Sequence, residues 1–450
     1  MRTTFSSRIG MILATAGSAV GLGNIWRFSY VTGENGGAAF ILIYIACVFL
    51  LGIPCMIGEF VIGRSQGANA PRAYAELPKA HRSWGLVGVM GVFSASVILG
   101  FYSVVAGWCL YYLCSAVGNG LATDATTAAA HFAAFSGGTW KPVLFGLGFL
   151  FVTHIIVRFG VKQGIERVSR FFMPLLVVLL FILMVASCSL PNAWQGVRYL
   201  FQPDWSCVSH RTFIEALGQA FFSLSLGVGT LCTYASYFDK KTNLVLSAAQ
   251  IAFIDTTIAI FAGLMIFPAA FAVGVQPDSG PSLIFITLPG VFHEAFAGMP
   301  IAGYIISVMF YALIVLAAIT STISMHEVGT AFFTEELNIP RRRAAWIVTL
   351  FCSVVCVLCS LSQGAVPDLK VAGMDVLGFC DALTGNYLMP LGALLTCTLL
   401  GWIVPKEYVR REFIGHQPRV AFIFPLLLIA LRYICPVCIV LIACYNLGLI

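Results

Sequence analysis

Long apolar stretches separated by short polar connections run along the whole chain. A helix needs about 20 mostly apolar residues to cross a bilayer, and the chain offers eleven such stretches. We number them spans 1 to 11 in chain order: 9–31, 38–63, 84–117, 142–159, 171–190, 212–237, 243–273, 301–333, 344–361, 376–404 and 420–448. The pattern predicts an all-α membrane protein with eleven transmembrane helices, in which residues 1–450 form a single transmembrane domain.

Composition supports the same class of protein. The 450 residues are 59% apolar and 10% charged, with a mean hydropathy of +0.93, whereas a soluble domain has about 25% charged residues. A globule of this length cannot bury so many apolar side chains, which excludes a soluble enzyme. The 43 glycines and 19 prolines follow no triplet, and 36 phenylalanines are incompatible with disorder.

The 15 cysteines lie mostly inside the apolar stretches, where a reduced cysteine behaves as a small hydrophobic residue. Two Cys-x-x-Cys pairs, Cys356/Cys359 and Cys435/Cys438, have neither a histidine nor a second pair nearby. We therefore favour packing over a redox or zinc role for both pairs.

Basic residues are distributed unevenly between the connections. Most of the 25 lysines and arginines lie in the N-terminal segment and in the connections 64–83, 158–170, 238–242, 334–343 and 405–419. The opposite connections contain Lys141, Arg198, Arg211 and Lys370. The positive-inside rule places the N-terminus in the cytoplasm and the C-terminus outside the cell. The net charge is +6. Because the basic residues behind it are concentrated on one side of the membrane, this charge does not indicate a nucleic-acid partner.

Glycines and small polar residues interrupt two spans near mid-depth. Span 1 carries Gly17-Ser18-Ala19-Val20-Gly21-Leu22-Gly23-Asn24, and span 6 carries Ser223-Leu224-Ser225-Leu226-Gly227-Val228-Gly229. Close helix packing is one explanation, since Gly17-x-x-x-Gly21 matches the small-residue motif. However, spans 1 and 6 begin two successive sets of five, and corresponding broken helices in two halves indicate inverted repeats around a central site. We expect repeat one at about 9–190, repeat two at about 212–404 and an additional helix at 420–448.

Broken helices expose N–H groups from one half and C=O groups from the other, so they can hold an anion and a cation together. An amino acid with a sodium ion fits such a site. Among the charged residues inside the spans, Asp255 lies halfway along span 7 and Glu59 within span 2, whereas Arg27, Glu327 and Asp381 lie nearer the ends. An acid at a helix centre costs about 2.5–3.5 kcal/mol on insertion scales, and we therefore favour a functional role for Asp255.

These segments belong to a series of motifs that runs in order through most of the chain. The series comprises Gly21-Leu22-Gly23-Asn24-Ile25-Trp26-Arg27-Phe28, Glu34-Asn35-Gly36-Gly37, Gly52-Ile53-Pro54, Glu59 with Gly63-Arg64, Phe221-Phe222-Ser223-Leu224-Ser225-Leu226-Gly227, Thr233-Tyr234-Ala235-Ser236-Tyr237, Phe285-Ile286-Thr287-Leu288-Pro289, Thr320-Ser321-Thr322 and Pro390-Leu391-Gly392. With them the sequence resembles the neurotransmitter:sodium symporter family, whose members adopt the LeuT fold, a 5+5 inverted repeat with unwound helices 1 and 6. The number of spans, eleven, is similar to that of some bacterial members of the family. The resemblance therefore implies a multi-pass protein of a bacterial inner membrane.

The resemblance implies a sodium-coupled symporter that works by alternating access, with two transported Na⁺ ions. The first ion is expected between the Ala19 carbonyl, the Asn24 amide oxygen, Ser223, Asp255 and the substrate carboxylate. The second is expected between the carbonyls of Gly17, Val20 and Ala317 and the hydroxyls of Thr320 and Ser321. All are hard oxygen donors, which suit a hard cation. Apart from the resemblance, a hydroxyl in a buried helix is expected to bond back to its own preceding turn.

Asp255 also bears on anion dependence. The resemblance implies that many animal relatives place an amide at this position and use chloride to balance the sodium charge, whereas the carboxylate here already balances it. Ala259, one turn further on, offers no anion ligand. We therefore expect transport that does not require chloride.

The resemblance also assigns a substrate pocket, in which Gly21 replaces the aspartate that binds the amine in monoamine carriers. Substrates should keep their carboxylate, to which Tyr102 would donate its hydroxyl, and Tyr102 would close the site with Phe222. The assigned residues carry no charge, and burying an unpaired charge is costly, so neutral, hydrophobic L-amino acids such as Leu, Met, Phe, Tyr or Trp are expected. The assigned residues are Ser18, Ala19, Gly21, Gly23, Ile98, Tyr102, Phe222, Ser223, Ser225, Val228, Ser321 and Met325.

Alternating access requires gates. Arg27 and Asp381 resemble the outer ion-pair gate, with Asp375 as a competing partner. Arg2 with Glu335 is expected at the inner gate, the alternative being solvated cytoplasmic charges. Gly164 and Pro174 have the Gly-x9-Pro spacing of bacterial members whose fifth helix unwinds to hydrate the second sodium site.

Other classes of membrane protein account less well for these residues. An intramembrane enzyme would need a metal cluster, a Ser/Lys dyad or paired aspartates, but the sequence has no H-E-x-x-H and its seven histidines are scattered. A ligand-gated receptor or channel would not explain two broken helices with two oxygen-rich cation sites. A sensor without transport and a proton-coupled carrier that titrates Asp255 or Glu59 stay open. We infer no obligate protein partner.

Overall fold

Helices make up nearly all of the structure. The computed structural model describes residues 4–122, 124–274 and 283–449. The only sheet in this part of the chain is a hairpin, in which Lys370–Val371 pairs antiparallel with Met374–Asp375. Nine helices of the described residues are long and apolar enough to cross a membrane. They are Ala38–Gln66, Arg82–Val117, Lys141–Arg158, Val161–Cys188, Leu244–Ala272, Pro300–Glu336, Arg341–Leu361, Val376–Ile403 and Pro418–Asn446.

Spans 1 and 6 are each built from two shorter helices. In span 1, Arg8–Ala19 and Gly23–Glu34 meet at a bend of 59°. In span 6, His210–Ser223 is followed by Thr230–Ala235. With the bent pair of span 1 counted as one span, the described residues contain ten spans by length and apolar character. Span 6, whose two helices are short, is the remaining stretch of the eleven in the apolar pattern. The division into repeats at 9–190 and 212–404, with 420–448 outside them, stays a prediction.

Span 5 begins much earlier than its apolar stretch suggests. The helix starts at Val161, whereas the prediction placed its start at 171. Glu166, Arg167 and Arg170 interrupt the apolar pattern there without interrupting the helix. Long charged side chains near a helix end can extend toward the polar interface, so the backbone stays helical.

The connections contain short helices that a search for apolar stretches could not detect, because they are too short or too polar. The short helices are Ala70–Ala75, Ala125–Ser136, Trp194–Phe201, Leu288–Ala295 and Lys406–Ile414.

Side chains define where two of the spans begin. Ser7 caps span 1 and Asn243 caps span 7, and each accepts a hydrogen bond from a backbone N–H of the first turn.

Several helices contain a π-helical turn, which accommodates one residue more than an α-helical turn. Such turns are rare and concentrate at functional sites. Those in spans 1, 5 and 10 include or adjoin predicted site residues. In the described residues they lie at Gly23–Arg27, Val48–Gly52, Val161–Glu166, Leu283–Thr287, Leu383–Leu388, Leu399–Ile403 and Ala430–Ile434.

The two interrupted spans lie inside the bundle. The first helix of span 1 packs on spans 5, 7 and 8, and the second helix of span 6 packs on span 2, while spans 3, 4, 8 and 9 pack on one another. Fully buried rings of Phe28 and Tyr44 join the second helix of span 1 to span 2, with centroids 5.2 Å apart. The breaks therefore face protein instead of lipid, as interrupted backbone at membrane depth requires.

Candidate functional site

Span 1 stops being helical after Ala19. Val20 takes an extended conformation, with φ −67° and ψ 116°, and helix resumes only at Gly23, where it begins with the π turn Gly23–Arg27. The last carbonyls of a helix have no partner within the helix. The break therefore leaves carbonyl oxygens of the first half available to other groups.

Span 6 breaks where three residues take left-handed backbone angles. These are Ser225 with φ 52°, Gly227 with φ 77° and Gly229 with φ 81°. Glycine adopts such angles without the steric cost that a Cβ brings. A Cβ on Gly227 would also collide with the backbone of Met389 in span 10. The glycines thus determine where this span is interrupted.

Glu59 replaces part of the hydrogen bonding that the break in span 6 removes. Its Oε1 accepts a bond from the backbone N–H of Gly227 at 2.8 Å, and its Oε2 accepts one from Cys232 at 3.4 Å. The side chain is buried. An unpaired amide at membrane depth costs several kcal/mol, so this carboxylate of span 2 stabilises the interrupted backbone.

The two breaks face one cavity of about 70 Å³. Every residue to which the resemblance gives a substrate-binding role lines it, so the fold brings that whole set together. The set consists of Ser18, Ala19, Gly21, Gly23, Ile98, Tyr102, Phe222, Ser223, Ser225, Val228, Ser321 and Met325.

Sequence reasoning missed part of the lining. Asp381, expected only at the outer gate, also lines this cavity, which corrects the expectation of an uncharged pocket. It lies two residues before the π turn Leu383–Leu388 in span 10, where a polar Thr-Gly-Asn stretch inside an apolar span was the available signal. The other unexpected lining residues are Phe101, Thr230, Ser324, Thr384, Gly385 and Met389.

Hydroxyl groups are the main polar features of the cavity. The Tyr102 hydroxyl accepts a hydrogen bond from the backbone N–H of Leu22 at 3.1 Å, and Ser225 Oγ donates to the Ser18 carbonyl at 3.3 Å. Among the described residues, Ser18 Oγ and Thr230 Oγ1 are buried without a hydrogen-bond partner. Buried hydroxyls normally have partners, so both are free to bind a polar ligand.

The side chains predicted for the first sodium ion form one buried cluster. Ser223 Oγ donates to Asp255 Oδ2 at 2.7 Å, and Asn24 Nδ2 donates to Asp255 Oδ1 at 2.7 Å and to Ser223 Oγ at 3.0 Å. Asn24 Oδ1 accepts from the Gly21 N–H at 2.9 Å, so the amide directs its nitrogen at the carboxylate. The side-chain oxygens of Asn24, Ser223 and Asp255 thus belong to one hydrogen-bonded cluster.

Two further residues belong to this region without having been singled out. The Tyr44 hydroxyl donates to Asp255 Oδ2 at 3.3 Å, and Gln219 Nε2 donates to the Gly23 carbonyl at 3.4 Å. Both side chains are fully buried. A tyrosine and a glutamine inside apolar spans were the only signals available for them.

The residues predicted for the second sodium ion lie where span 1 contacts span 8. Ser321 Oγ donates across to the Val20 carbonyl at 3.0 Å, whereas Thr320 Oγ1 bonds to Ala317 of its own helix at 2.9 Å. Gly17 lies so close that an added Cβ would be 3.2 Å from Thr320 Cβ. A hydroxyl in a helix ordinarily bonds back to a carbonyl of the preceding turn. Of these two hydroxyls, only that of Ser321 bonds to another span instead.

A second cavity, of about 490 Å³, contains both residues of the predicted outer gate. Within the described residues Arg27 and Asp381 form no ion pair, and the Arg27 guanidinium carbon lies 4.9 Å from the ring centroid of Phe222, a cation–π distance. The competing Asp375 caps its own helix and accepts a bond from Gln363 at 2.7 Å. Asp381 is therefore the better placed of the two to meet Arg27.

The predicted inner gate can be described on one side only, because Arg2 lies outside the described residues. Glu335 accepts hydrogen bonds from the backbone and side-chain amides of Asn69, at 2.7 and 3.2 Å. In the same helix, the fully buried Glu327 forms an ion pair with Arg341 and accepts a bond from the Tyr237 hydroxyl at 2.6 Å.

Span 5 is helical through both residues of its Gly-x9-Pro spacing. Gly164 lies in the π turn Val161–Glu166, and Pro174 lies inside Arg167–Cys188. A Cβ on Gly164 would collide with the Ile156 carbonyl of span 4. Packing alone therefore requires glycine here, and unwinding of this span stays a prediction.

Next to this turn, Glu166 binds the segment that precedes span 1. Its carboxylate accepts hydrogen bonds from the Ser6 N–H at 2.7 Å, the Ser6 hydroxyl at 2.6 Å and the Ser7 hydroxyl at 3.1 Å. The Glu166 side chain is buried. The start of span 1 is thus held by the region of span 5 that is predicted to unwind, a contact that no sequence motif indicated.

Comparison with known proteins places this geometry in a family. The family model described as sodium:neurotransmitter symporter family matches residues 2–132 and 138–448. An uncharacterised sodium-dependent transporter of Bacillus subtilis is 36% identical over 452 residues, which cover 99% of this chain and 98% of the relative. A similar transporter of Methanocaldococcus jannaschii is 30% identical over 91% of this chain and 84% of the relative. The crystal structure of MhsT in complex with L-phenylalanine matches with 38% identity and a TM-score of 0.87, over 98% of this chain and 99% of that chain.

These likenesses confirm the predicted fold class, an all-α membrane protein of LeuT type with broken helices 1 and 6. They also exclude the alternative of an intramembrane enzyme, since the family consists of transporters. The chain belongs to the sodium:neurotransmitter symporter family and is a multi-pass, sodium-dependent membrane transporter of that family.

Proposed function

We propose that this symporter imports neutral, hydrophobic L-amino acids by alternating access, together with two sodium ions and without chloride. The observation that carries the proposal is the cavity between the breaks, where apolar side chains surround a small number of hydroxyl groups. Ile98, Phe101, Val228, Met325 and Met389 supply the apolar surface. A binding site of this composition favours a ligand with an apolar side chain.

The region around Gly21 suits the carboxylate of such a ligand. An added Cβ there would lie 3.1 Å from the Tyr102 hydroxyl and 2.6 Å from Ser321 Oγ, so glycine leaves room beside both groups. The Tyr102 hydroxyl accepts a bond from Leu22, and a tyrosine hydroxyl can donate its own proton to a carboxylate. The adjoining helix of span 1 begins at Gly23, and a helix N-terminus favours an anion.

Asp255 supports the proposals on sodium and on chloride. It is fully buried among Asn24, Ser223 and Tyr44. A sodium ion beside this carboxylate would form a pair without net charge, which burial at membrane depth favours. Ala259 is fully buried and offers no polar group for an anion. A second anion is then unnecessary.

The comparison with MhsT supports the same substrate class. That protein holds L-phenylalanine in its crystal structure and shares 38% identity with this chain. The apolar lining here would accept a side chain of similar kind. The sparse basic residues of the outer connections support insertion in a bacterial inner membrane with the N-terminus in the cytoplasm.

Asp381 suggests a second candidate, because it is a carboxylate on the wall of the cavity. A cationic amino acid could pair with it. We favour the gate role, since Asp381 lines the larger cavity together with Arg27, and competition by lysine distinguishes the two.

Reconstitution into liposomes with an imposed sodium gradient tests the proposal. Labelled leucine, phenylalanine, methionine, tyrosine or tryptophan should accumulate only with an inward gradient, and replacement of chloride by gluconate should leave the rate unchanged. Competition only by glutamate or lysine would overturn the substrate class. A rate that collapses in gluconate would overturn chloride independence. Uptake driven by protons without sodium would overturn the coupling ion, and binding without accumulation would indicate a sensor.

A further inference from the structure

Three buried cysteines from three spans meet at one point in the bundle. Cys55 of span 2, Cys397 of span 10 and Cys435 of span 11 have Sγ atoms that all lie within 4.8 Å of one another, and the Sγ atoms of Cys55 and Cys397 are 3.7 Å apart. All three are free thiols and are at most 3% exposed. None of them lines the substrate cavity or belongs to the predicted sodium sites.

The separation of the sulfur atoms suits a shared metal ion. A thiolate binds a first-row metal at about 2.3 Å, so three sulfurs arranged around one ion in a plane lie about 4.0 Å apart. The Cys55–Cys397 separation of 3.7 Å lies close to this value, and none of the three separations exceeds 4.8 Å. Little rearrangement is needed for the three thiols to become ligands of one ion.

The surrounding backbone holds the cluster in place. Cys435 follows directly after the π turn Ala430–Ile434, and its Sγ lies 3.8 and 4.0 Å from the carbonyls of Leu50 and Leu51 in the π turn Val48–Gly52. Two widened turns thus face each other at the cluster. Such turns are frequent where a helix presents a ligand or an active group.

A positive charge, that of Arg432 in span 11, lies about one helical turn from the cluster. Arg432, one turn before Cys435, donates through Nε to the carbonyl of Gly401 at 2.5 Å, and Gly401 follows Cys397 by one turn. A monovalent ion held by two thiolates and one thiol carries one net negative charge. The Arg432 guanidinium would offset that charge, and the two thiol protons would leave to solvent.

The donor set selects the class of ion. Thiolates are soft ligands that favour copper(I) and similar ions over sodium, calcium or magnesium. We propose that Cys55, Cys397 and Cys435 form a binding site for a soft monovalent metal ion of the copper(I) class, which joins spans 2, 10 and 11. This site does not depend on the identity of the transported substrate.

Copper(I) retention by the purified full-length protein tests the proposal. Copper(I) is supplied anaerobically with excess glutathione, which competes with isolated cysteines, and retained copper is counted after desalting. The wild type should keep one copper more than C55A, C397A and C435A, and X-ray absorption should report three sulfur neighbours. The matched control is C352A, which removes a fully buried cysteine whose Sγ likewise contacts a backbone carbonyl, that of Ser96 at 3.3 Å.

Three results would overturn the site. The first is that the wild type retains no copper, and the second is that its copper has fewer than three sulfur neighbours. The third is that C359A loses the copper as well, since this variant disrupts only the separate pair Cys359 and Cys380, whose Sγ atoms are 4.0 Å apart. The absorption measurement uses the wild type and therefore does not depend on the folding of any variant. Gel filtration of each variant establishes that retention is compared between folded proteins.

Discussion

Glu59 Oε1 lies 2.8 Å from the backbone nitrogen of Gly227, and this bond connects span 2 to the interrupted backbone of span 6. Glu59→Ala would remove the acceptor of two backbone amides, those of Gly227 and Cys232, at a cost of up to about 1–3 kcal/mol each. We expect a lower unfolding temperature in detergent, with a smaller loss in Glu59→Gln, which keeps one oxygen. Glu407→Ala, at a side chain that is 75% exposed, is the control, and equal stability of E59A and E407A would contradict the role.

Gly21 lies where any side chain would crowd the proposed carboxylate site. In Gly21→Ala the new methyl group meets Ser321 Oγ and the Tyr102 hydroxyl, so we expect at least about a tenfold loss of amino-acid affinity, equivalent to about 1.4 kcal/mol. Equilibrium binding of labelled leucine measures it. Gly148→Ala is the matched control, since a Cβ there meets nothing within 4 Å. Unchanged binding by G21A would exclude a ligand carboxylate at this point.

Asp255 is expected to compensate the charge of the first sodium ion. Asp255→Asn keeps the size of the side chain and removes the charge, so the sodium concentration for half-maximal uptake should rise about tenfold or more. A sodium titration of uptake measures the shift. Asp368→Asn, at an exposed residue, should leave the titration unchanged. An unshifted titration in D255N would remove the carboxylate from the ion site.

Glu166 is expected to restrain the segment before span 1 through its bonds to Ser6 and Ser7. Glu166→Ala should speed tryptic cleavage after the exposed Arg8 by up to about tenfold, since a hydrogen bond contributes about 0.5–1.5 kcal/mol. Mass spectrometry of timed digests gives the rate. Glu407→Ala serves again as the control, and equal cleavage rates would show that the segment is held by other contacts.

Pro174 offers a cleaner test of unwinding in span 5 than Gly164 does. Gly164→Ala places a methyl group against the Ile156 carbonyl. Slower sodium release in that variant would therefore have two explanations, disturbed packing and hindered unwinding. Pro174→Ala restores a backbone donor inside a helix and should make unwinding harder. We expect slower turnover at saturating sodium with unchanged sodium affinity. Normal turnover in P174A would argue against an unwinding step.

The lipid environment explains why so much of the fold could be predicted from the sequence. A span must be apolar over about 20 residues, and a break must be compensated, so both features leave marks in a single sequence. Gly227 and Gly229 marked the break in span 6, and the start of span 5 was placed wrongly only because Arg167 and Arg170 disturb the apolar pattern.

Contacts between distant residues could not be predicted in the same way. Glu59 was recognised as an acid inside a span, but its bond to Gly227 depends on how spans 2 and 6 pack. The same holds for Tyr44 beside Asp255 and for Glu166 beside Ser6. Asp381 lines the cavity between the two breaks and lies next to a π turn. Hydropathy does not reveal this local geometry.

The π turns change what the deletion of one amino acid would do to these helices. A π turn contains one residue more than an α-helical turn, and loss of one residue from Leu383–Leu388 would convert the wide turn into an ordinary one. The segment from Met389 to Ile403 would then keep its alignment with the neighbouring spans, whereas the same loss from an ordinary α-helix would rotate everything beyond it by about 100°. An in-frame loss of one codon at this place would give a polypeptide whose tenth helix keeps its neighbours but lacks the widened turn beside Asp381.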